Sequence, residues 1–340
     1  MQLAARLVAR SPILSAASTD RPPPGGSGSP PGSPSLVWIE LLTAHLVVAL
    51  IALVAVGGAT RVMEAGLACP DWPLCYGLLL PGRQMNLQVF LEWFHRLDAF
   101  LVGLALLALA GVSLVRRRDL PAWLLRNAAA ALLLVAGQGA LGAFTVTRLL
   151  SPPVVTAHLA TALLLVALIS VTDQRLRTAR IVATQPAAAA PLPRFWLVLV
   201  AVAGSLVFLQ CVLGGLMASQ WAADLCLQQG QSCQWLLRHR LAAGPAALAV
   251  LALLPAAFLV HRRVSRPGLT LLTALPALLV ALQLALGVAT LRHQLAQPAL
   301  TVGHQLTAAL LVAVLAALWG RSLPVAPSTS PSLPEEVLHG

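Results

Sequence analysis

Eight long apolar runs, separated by short polar or turn-rich breaks, make up most of the chain: Val37 to Ala59, Phe90 to Val115, Leu124 to Val146, Val154 to Val171, Phe195 to Ala218, Trp235 to Val260, Leu269 to Leu291 and Ala299 to Trp319. Each is about as long as a helix must be to cross roughly 30 Å of hydrocarbon. The pattern predicts an all-α polytopic membrane protein with eight transmembrane helices.

The runs are not independent. Gly57-Gly58 and Gly214-Gly215 lie near the outer ends of the first and fifth, each followed by a loop with two cysteines. The glycines and the first cysteines, Cys69 and Cys226, recur at the same offset of 157 residues. Gln138-Gly-Ala-Leu-Gly142 in the third run is matched by Gln283-Leu-Ala-Leu-Gly287 in the seventh, and His158 in the fourth by His304 in the eighth. The chain therefore reads as two copies of a four-helix unit. An even number of spans starts both copies on one side, so a pseudo-two-fold axis along the membrane normal relates two four-helix bundles. The expected layout is an N-terminal bundle over 36–173, a cytoplasmic linker over 174–194 and a C-terminal bundle over 195–320. Small residues such as Gly139 and Gly215 allow close helix approach.

Only 10% of the 340 residues are charged and 58% are hydrophobic, against about 25% charged in a soluble domain. The formal net charge is +11, and every one of the 22 basic residues is arginine. On a soluble chain that excess would point to nucleic acid. Here it reports topology and the neighbouring lipid, and no nucleic-acid partner is expected. Arg116 to Arg118, Arg175, Arg177, Arg180 and Arg194, and Arg262, Arg263 and Arg266 mark three alternate loops as cytoplasmic, and with them both termini. The tails, 1–35 and 321–340, are rich in Pro, Gly and Ser and are expected to be disordered. The first lacks the continuous apolar core of a cleaved signal.

Ionisable groups near a bilayer edge are costly and mark sites. His95, His158, His239 and His304 each lie four or five residues inside the outer boundary of the second, fourth, sixth and eighth spans, and so at one depth. Two imidazoles at matching height on neighbouring helices can grip a haem iron from opposite faces. Two pairs imply two haem-like sites, with the four histidines as metal ligands. Against this stands the ordinary buried histidine bonded to a neighbour, a reading that weakens when the positions repeat. His45, His261, His293 and His339 have no counterparts and read as local polar contacts. Glu92 stands one turn before His95 on the same helix face, whereas Leu236 holds the matching place before His239. The first half is therefore the expected reacting site, with Glu92 handling protons, and the second an electron-transfer site. The rival role for Glu92 is an ion pair with Arg96.

Cys69 and Cys75 enclose Pro-Asp-Trp-Pro-Leu, and Cys226 and Cys233 enclose six residues, all on the expected outer side where thiols are kept oxidised. Two disulfides, Cys69–Cys75 and Cys226–Cys233, are the economical assignment, with a redox-active dithiol or a metal site as alternatives. Cys211, inside the fifth span, reads as a packing residue. Arg61, Arg96, Arg148 and Arg238 near the outer ends can pair with haem propionates or snorkel to headgroups.

Over about residues 36 to 320 the chain resembles the haem A synthase family. Gly58-Ala-Thr-Arg61 followed by Gly66-Leu-Ala-Cys-Pro-Asp-Trp-Pro-Leu-Cys75, then Glu92-Trp-Phe-His-Arg96, Gln138-Gly-Ala-Leu-Gly142 with His158, His239 and Gly303-His-Gln305 carry the resemblance. It implies an oxidoreductase that converts the C8 methyl of haem O to the formyl group of haem A, for cytochrome oxidase. It also implies His95 and His158 at the substrate, Glu92 as the acid, Cys69 and Cys75 as the functional pair, and His239 and His304 as haem b ligands. Expected partners are haem O, an electron donor that is ferredoxin-like or a quinol, and haem O synthase or oxidase-assembly factors. The expected location is a bacterial plasma membrane. From the residues alone, a dihaem cytochrome b passing electrons from quinol to a partner fits too, and a transporter or assembly scaffold fits less well.

Overall fold

A computed structural model describes residues 34–185, 188, 190–218, 226, 228, 233–264 and 268–324. The two tails expected to be disordered lie almost wholly outside the described residues, as do Arg266 and most of the loop before Cys233. Nine helices cover nearly all of the rest: α1 (Pro34–Val62), α2 (Leu87–Val115), α3 (Ala122–Thr147), α4 (Pro152–Thr184), α5 (Arg194–Met217), α6 (Gln234–Leu251), α7 (Leu253–His261), α8 (Leu269–Arg292) and α9 (Pro298–Ser322). Eight segments are long and apolar enough to cross a membrane, α6 and α7 forming one of them as Gln234–His261. The chain is a multi-pass membrane protein, as its hydropathy pattern predicts.

The break between α6 and α7 falls at Leu251, four residues before Pro255. Proline has no N–H to offer the carbonyl one turn back, so the helix bends there. Helix α4 runs thirteen residues beyond its apolar run. Its polar extension is satisfied in place: Arg177 pairs with Asp173 at 2.8 Å, and Arg180 with Glu40 of α1 at 3.1 Å. The segment expected as a linker, 174–194, is thus helical as far as Thr184. Likewise α9 carries the buried Arg321 and Ser322 past the expected start of the C-terminal tail.

Helices α1 to α4 pack in a ring, and so do α5, α6, α8 and α9. The rings meet along α1 and α4 from the first and α5 and α9 from the second. Helix α9 lies especially close to α4, since a methyl group on Gly320 would stand 2.7 Å from the Val171 carbonyl oxygen. Glycine is required there by the approach of two backbones. Polar contacts accompany it, the first within one ring, the second within the other and the third across the seam. Thr43 donates to Asp173 at 3.3 Å, Trp196 donates to Ser322 at 2.8 Å, and Arg321 reaches Thr178 at 3.5 Å.

Candidate functional site

The motif Glu92-Trp-Phe-His-Arg96 opens α2 just after Asn86, whose side chain caps the helix by accepting from the Val89 N–H at 3.0 Å. Residues 92, 93 and 96 turn toward the preceding loop, and His95 turns toward α1. Glu92 Oε2 accepts the Cys69 N–H at 2.8 Å, and Oε1 pairs with Arg96 at 2.5 Å. Arg96 in turn donates to the carbonyls of Asp71 (2.6 Å) and Leu74 (2.5 Å). Trp93 holds the Leu79 carbonyl at 2.6 Å. Within the loop, Asp71 accepts the N–H groups of Tyr76 and Gly77 at 2.6 and 2.7 Å, which hold its carboxyl below the usual carboxylate range. Gly77 sits at φ +70°, a turn that glycine adopts without strain. The disulfide Cys69–Cys75 closes this loop, and Cys226–Cys233 closes its counterpart.

Each histidine is seated against a glycine of the preceding span. A methyl group on Gly57 would stand 2.9 Å from His95 Cε1; on Gly142, 3.6 Å from His158 Cε1; on Gly214, 3.3 Å from His239 Cε1; and on Gly287, 3.1 Å from His304 Cε1. The repeated glycines thus serve the histidines more than helix approach in general, whereas Gly139 faces open space. His95 lies within electrostatic reach of His158, and His239 of His304, the two residues of each set belonging to one ring of helices.

One turn before three of these glycines stands a glutamine. Gln138 donates to the His158 carbonyl at 2.9 Å and Gln210 to the His239 carbonyl at 2.9 Å, with the Gln210 amide 3.1 Å from His239 Nδ1. The Gln283 amide lies 3.2 Å from His304 Nε2. In α1 the corresponding residue is Leu53, so His95 lacks such an amide. Gln210 escaped the sequence reading, although Gln-x-x-x-Gly, shared with Gln138 and Gln283, would have found it. The ring nitrogens Nδ1 of His95, His158 and His304 are enclosed with no hydrogen-bond partner among the described residues.

The expected propionate arginines are scattered. Arg61 reaches across the seam to the Ala218 carbonyl at the end of α5, and Arg96 is committed to the disulfide loop. Arg238 is exposed over the Trp235 ring, 5.2 Å from its centre, and Arg148 is exposed at the end of α3. A second contact crosses the seam beside the sites. Gln305, next to His304, lies so close to Gly58 that a methyl there would meet its Oε1 at 2.4 Å. The pseudo-symmetric place on Gly215 is taken by Leu159, next to His158.

Two rings of membrane-spanning helices, each with two glycine-backed histidines and a disulfide-closed loop, define a multi-pass membrane protein with an internal repeat. The chain belongs to the COX15-CtaA family of cytochrome oxidase assembly proteins, whose pattern matches residues 40–316. It is 32% identical over 210 residues to a heme A synthase of Shewanella oneidensis, a match covering 56% of this chain and 59% of that one. The chain thus spans about three fifths of that relative's length. It is 28% identical over 319 residues to a heme A synthase of Erythrobacter litoralis, covering 77% of this chain and 90% of the relative. A shorter stretch of 73 residues is 40% identical to a protoheme IX farnesyltransferase of Haloarcula marismortui, covering 22% of this chain and 15% of that protein.

Proposed function

We propose that this chain is a haem A synthase, an oxidoreductase that takes haem O at the first bundle and oxidises its C8 methyl group to a formyl group. The observation that carries the reading is the set of four glycine-seated histidines, paired within each bundle, in a chain of this family. His95 and His158 would address the substrate iron. His239 and His304 would hold a resident haem b, which supplies one-electron transfer when bound.

The second-half residues fit such a group. Each ring is backed by glycine rather than a side chain, and glutamine amides approach both. Nδ1 of His304 is enclosed with no hydrogen-bond partner among the described residues, whereas Nε2 lies 3.2 Å from the Gln283 amide, a contact that would open for Nε2 to hold iron.

The chain's own residues set the asymmetry between sites. Glu92 and Arg96 fix the Cys69–Cys75 loop over the first site, and Leu236 leaves the second without that acid. Glu92 therefore acts by holding the loop as well as by any proton it exchanges. The arginine-rich ends of α2, α4 and α7 lie on the side where α1 begins and α9 ends, which supports a cytoplasmic placement of that side, and the membrane proposed is a bacterial plasma membrane.

The test is haem extraction and identification by mass from cells with and without a source of haem O. A formyl porphyrin that depends on this chain is the expected result. Active protein that oxidises quinol and yields no formyl porphyrin would overturn the reading. His239→Ala and His304→Ala should each abolish the resident haem spectrum.

A further inference from the structure

A cavity of about 160 Å³ runs along the α1–α2 seam, walled by Leu42, Leu46 and Ala49 on one side and Asp98, Val102 and Ala105 on the other. The lining residues recur at turn spacing over seven residues of each helix, so the cavity is an axial groove about 10 Å long. Leu101, 53% exposed on its rim, opens it to the hydrocarbon. The walls are apolar but for two residues, His45 and Asp98. His45, midway along the α1 wall, has Nδ1 2.6 Å from the Leu41 carbonyl of its own helix. At the upper end, Asp98 makes no hydrogen bond or ion pair with any described residue. A carboxylate inside a membrane span without a partner is a costly feature and marks a binding role. Asp98 stands one turn below His95 on α2, and helical side chains lean toward the helix N-terminus, here toward His95.

The groove thus suits a linear apolar chain with a hydrogen-bond donor at its upper end, attached to something held at the level of His95. Haem O has that form: a farnesyl chain joined to the porphyrin through a carbon that bears a hydroxyl. We infer that the α1–α2 groove is the subsite for the root of the substrate's isoprenoid substituent, its length of about 10 Å covering the first two isoprene units, with Asp98 accepting the hydroxyl where the chain joins the ring. The inference rests on the haem A synthase reading. It makes Asp98 a specificity residue, separating haem O from haem B, which carries a vinyl group in that place and cannot donate to the carboxylate.

The full chain with its resident haem is titrated with haem O and with haem B, and first-site binding is followed by the Soret band. Wild type should prefer haem O by roughly tenfold or more, the scale of a hydrogen bond to a charged group plus chain burial. Asp98→Ala should erase most of that preference and Asp98→Asn, which keeps an acceptor, should restore part of it. Ala105→Phe fills the groove and should bring haem O down to the affinity of haem B. The resident haem spectrum reports folding in every variant. Equal wild-type affinities, or a preference that survives both Asp98→Ala and Ala105→Phe with the resident haem intact, would overturn the subsite. The latter result would assign the groove to a lipid acyl chain. Failure of wild type to bind either haem at the first site would instead remove the haem A synthase reading, and the subsite with it.

Discussion

The glycine seats make a graded prediction. Replacing a helical glycine by alanine gains about 1 kcal/mol of helix propensity, so alanine should stabilise wherever its methyl group fits. At Gly142 the methyl would lie 3.6 Å from His158, an ordinary contact, and Gly142→Ala should be neutral or slightly stabilising. At Gly57 it would lie 2.9 Å from His95, which no packed carbon tolerates, so the imidazole must retreat or tilt. Overpacking of this kind costs about 1–3 kcal/mol, which exceeds the propensity gain. Gly287 at 3.1 Å and Gly214 at 3.3 Å fall between. The expected order of damage is Gly57→Ala, then Gly287→Ala, then Gly214→Ala, with Gly142→Ala last. Thermal unfolding of detergent-solubilised protein and haem affinity at each site would measure it. The series has an internal control in Gly58→Ala, whose methyl meets the movable amide of Gln305 and should spare the His95 site more than Gly57→Ala does. If Gly142→Ala damaged its site as much as Gly57→Ala, the seats would not be steric and the reasoning would fail.

Glu92→Ala should lower haem A yield by an order of magnitude or more while sparing the resident haem spectrum, and should loosen the 69–75 loop, seen as faster amide exchange at Cys69. Glu92→Gln, which keeps an acceptor for that N–H, should retain the loop, so the two variants together separate holding from proton transfer. Leu53→Gln supplies the fourth amide and should bind first-site haem more tightly, by about fivefold for one hydrogen bond, while slowing turnover. An unchanged dissociation rate would count against a tethering role. The Asp71 carboxyl titrates below its unfolded value of about 3.9, so its hold on Tyr76 and Gly77 is present above that pH and is lost as pH falls through the lower, folded value. Loop exchange should rise over that acid range in wild type, and Asp71→Asn should abolish the pH dependence.

Much of this was legible in the sequence because hydrophobicity and repetition are both one-dimensional signals. Eight apolar runs became eight spans, and recurring positions, Gly57 and Gly214 at an offset of 157 and His158 and His304 at 146, pointed to two similar units. Apolar runs stop at the first charges, however, so Gln174 to Thr184 reads as linker where Asp173–Arg177 and Glu40–Arg180 carry the helix onward. Three-dimensional facts were hidden for another reason. Nothing in a string of residues says that Gly57 faces His95, that Arg96 is occupied by loop carbonyls, or that Arg61 reaches Ala218 across the seam.

On the proposed reading, the differences between the halves bear on how a duplicated unit could carry two sites of unequal use. A resident group needs a ligand that does not leave; a substrate site must release what it has changed. Gln210 and Gln283 bring an amide to the His239 and His304 rings, whereas Gln138 meets His158 through its backbone carbonyl and Leu53 holds the matching place in α1. An amide on a ring nitrogen fixes the ring's orientation, but the nitrogen it occupies is not free for a metal. On the proposed reading the first bundle takes the substrate, and there Glu92 and Arg96 hold the covering loop while no glutamine amide meets either ring among the described residues. The halves thus differ in what each imidazole meets and in the acid beside it, which is where a substrate site and a resident site would have to differ.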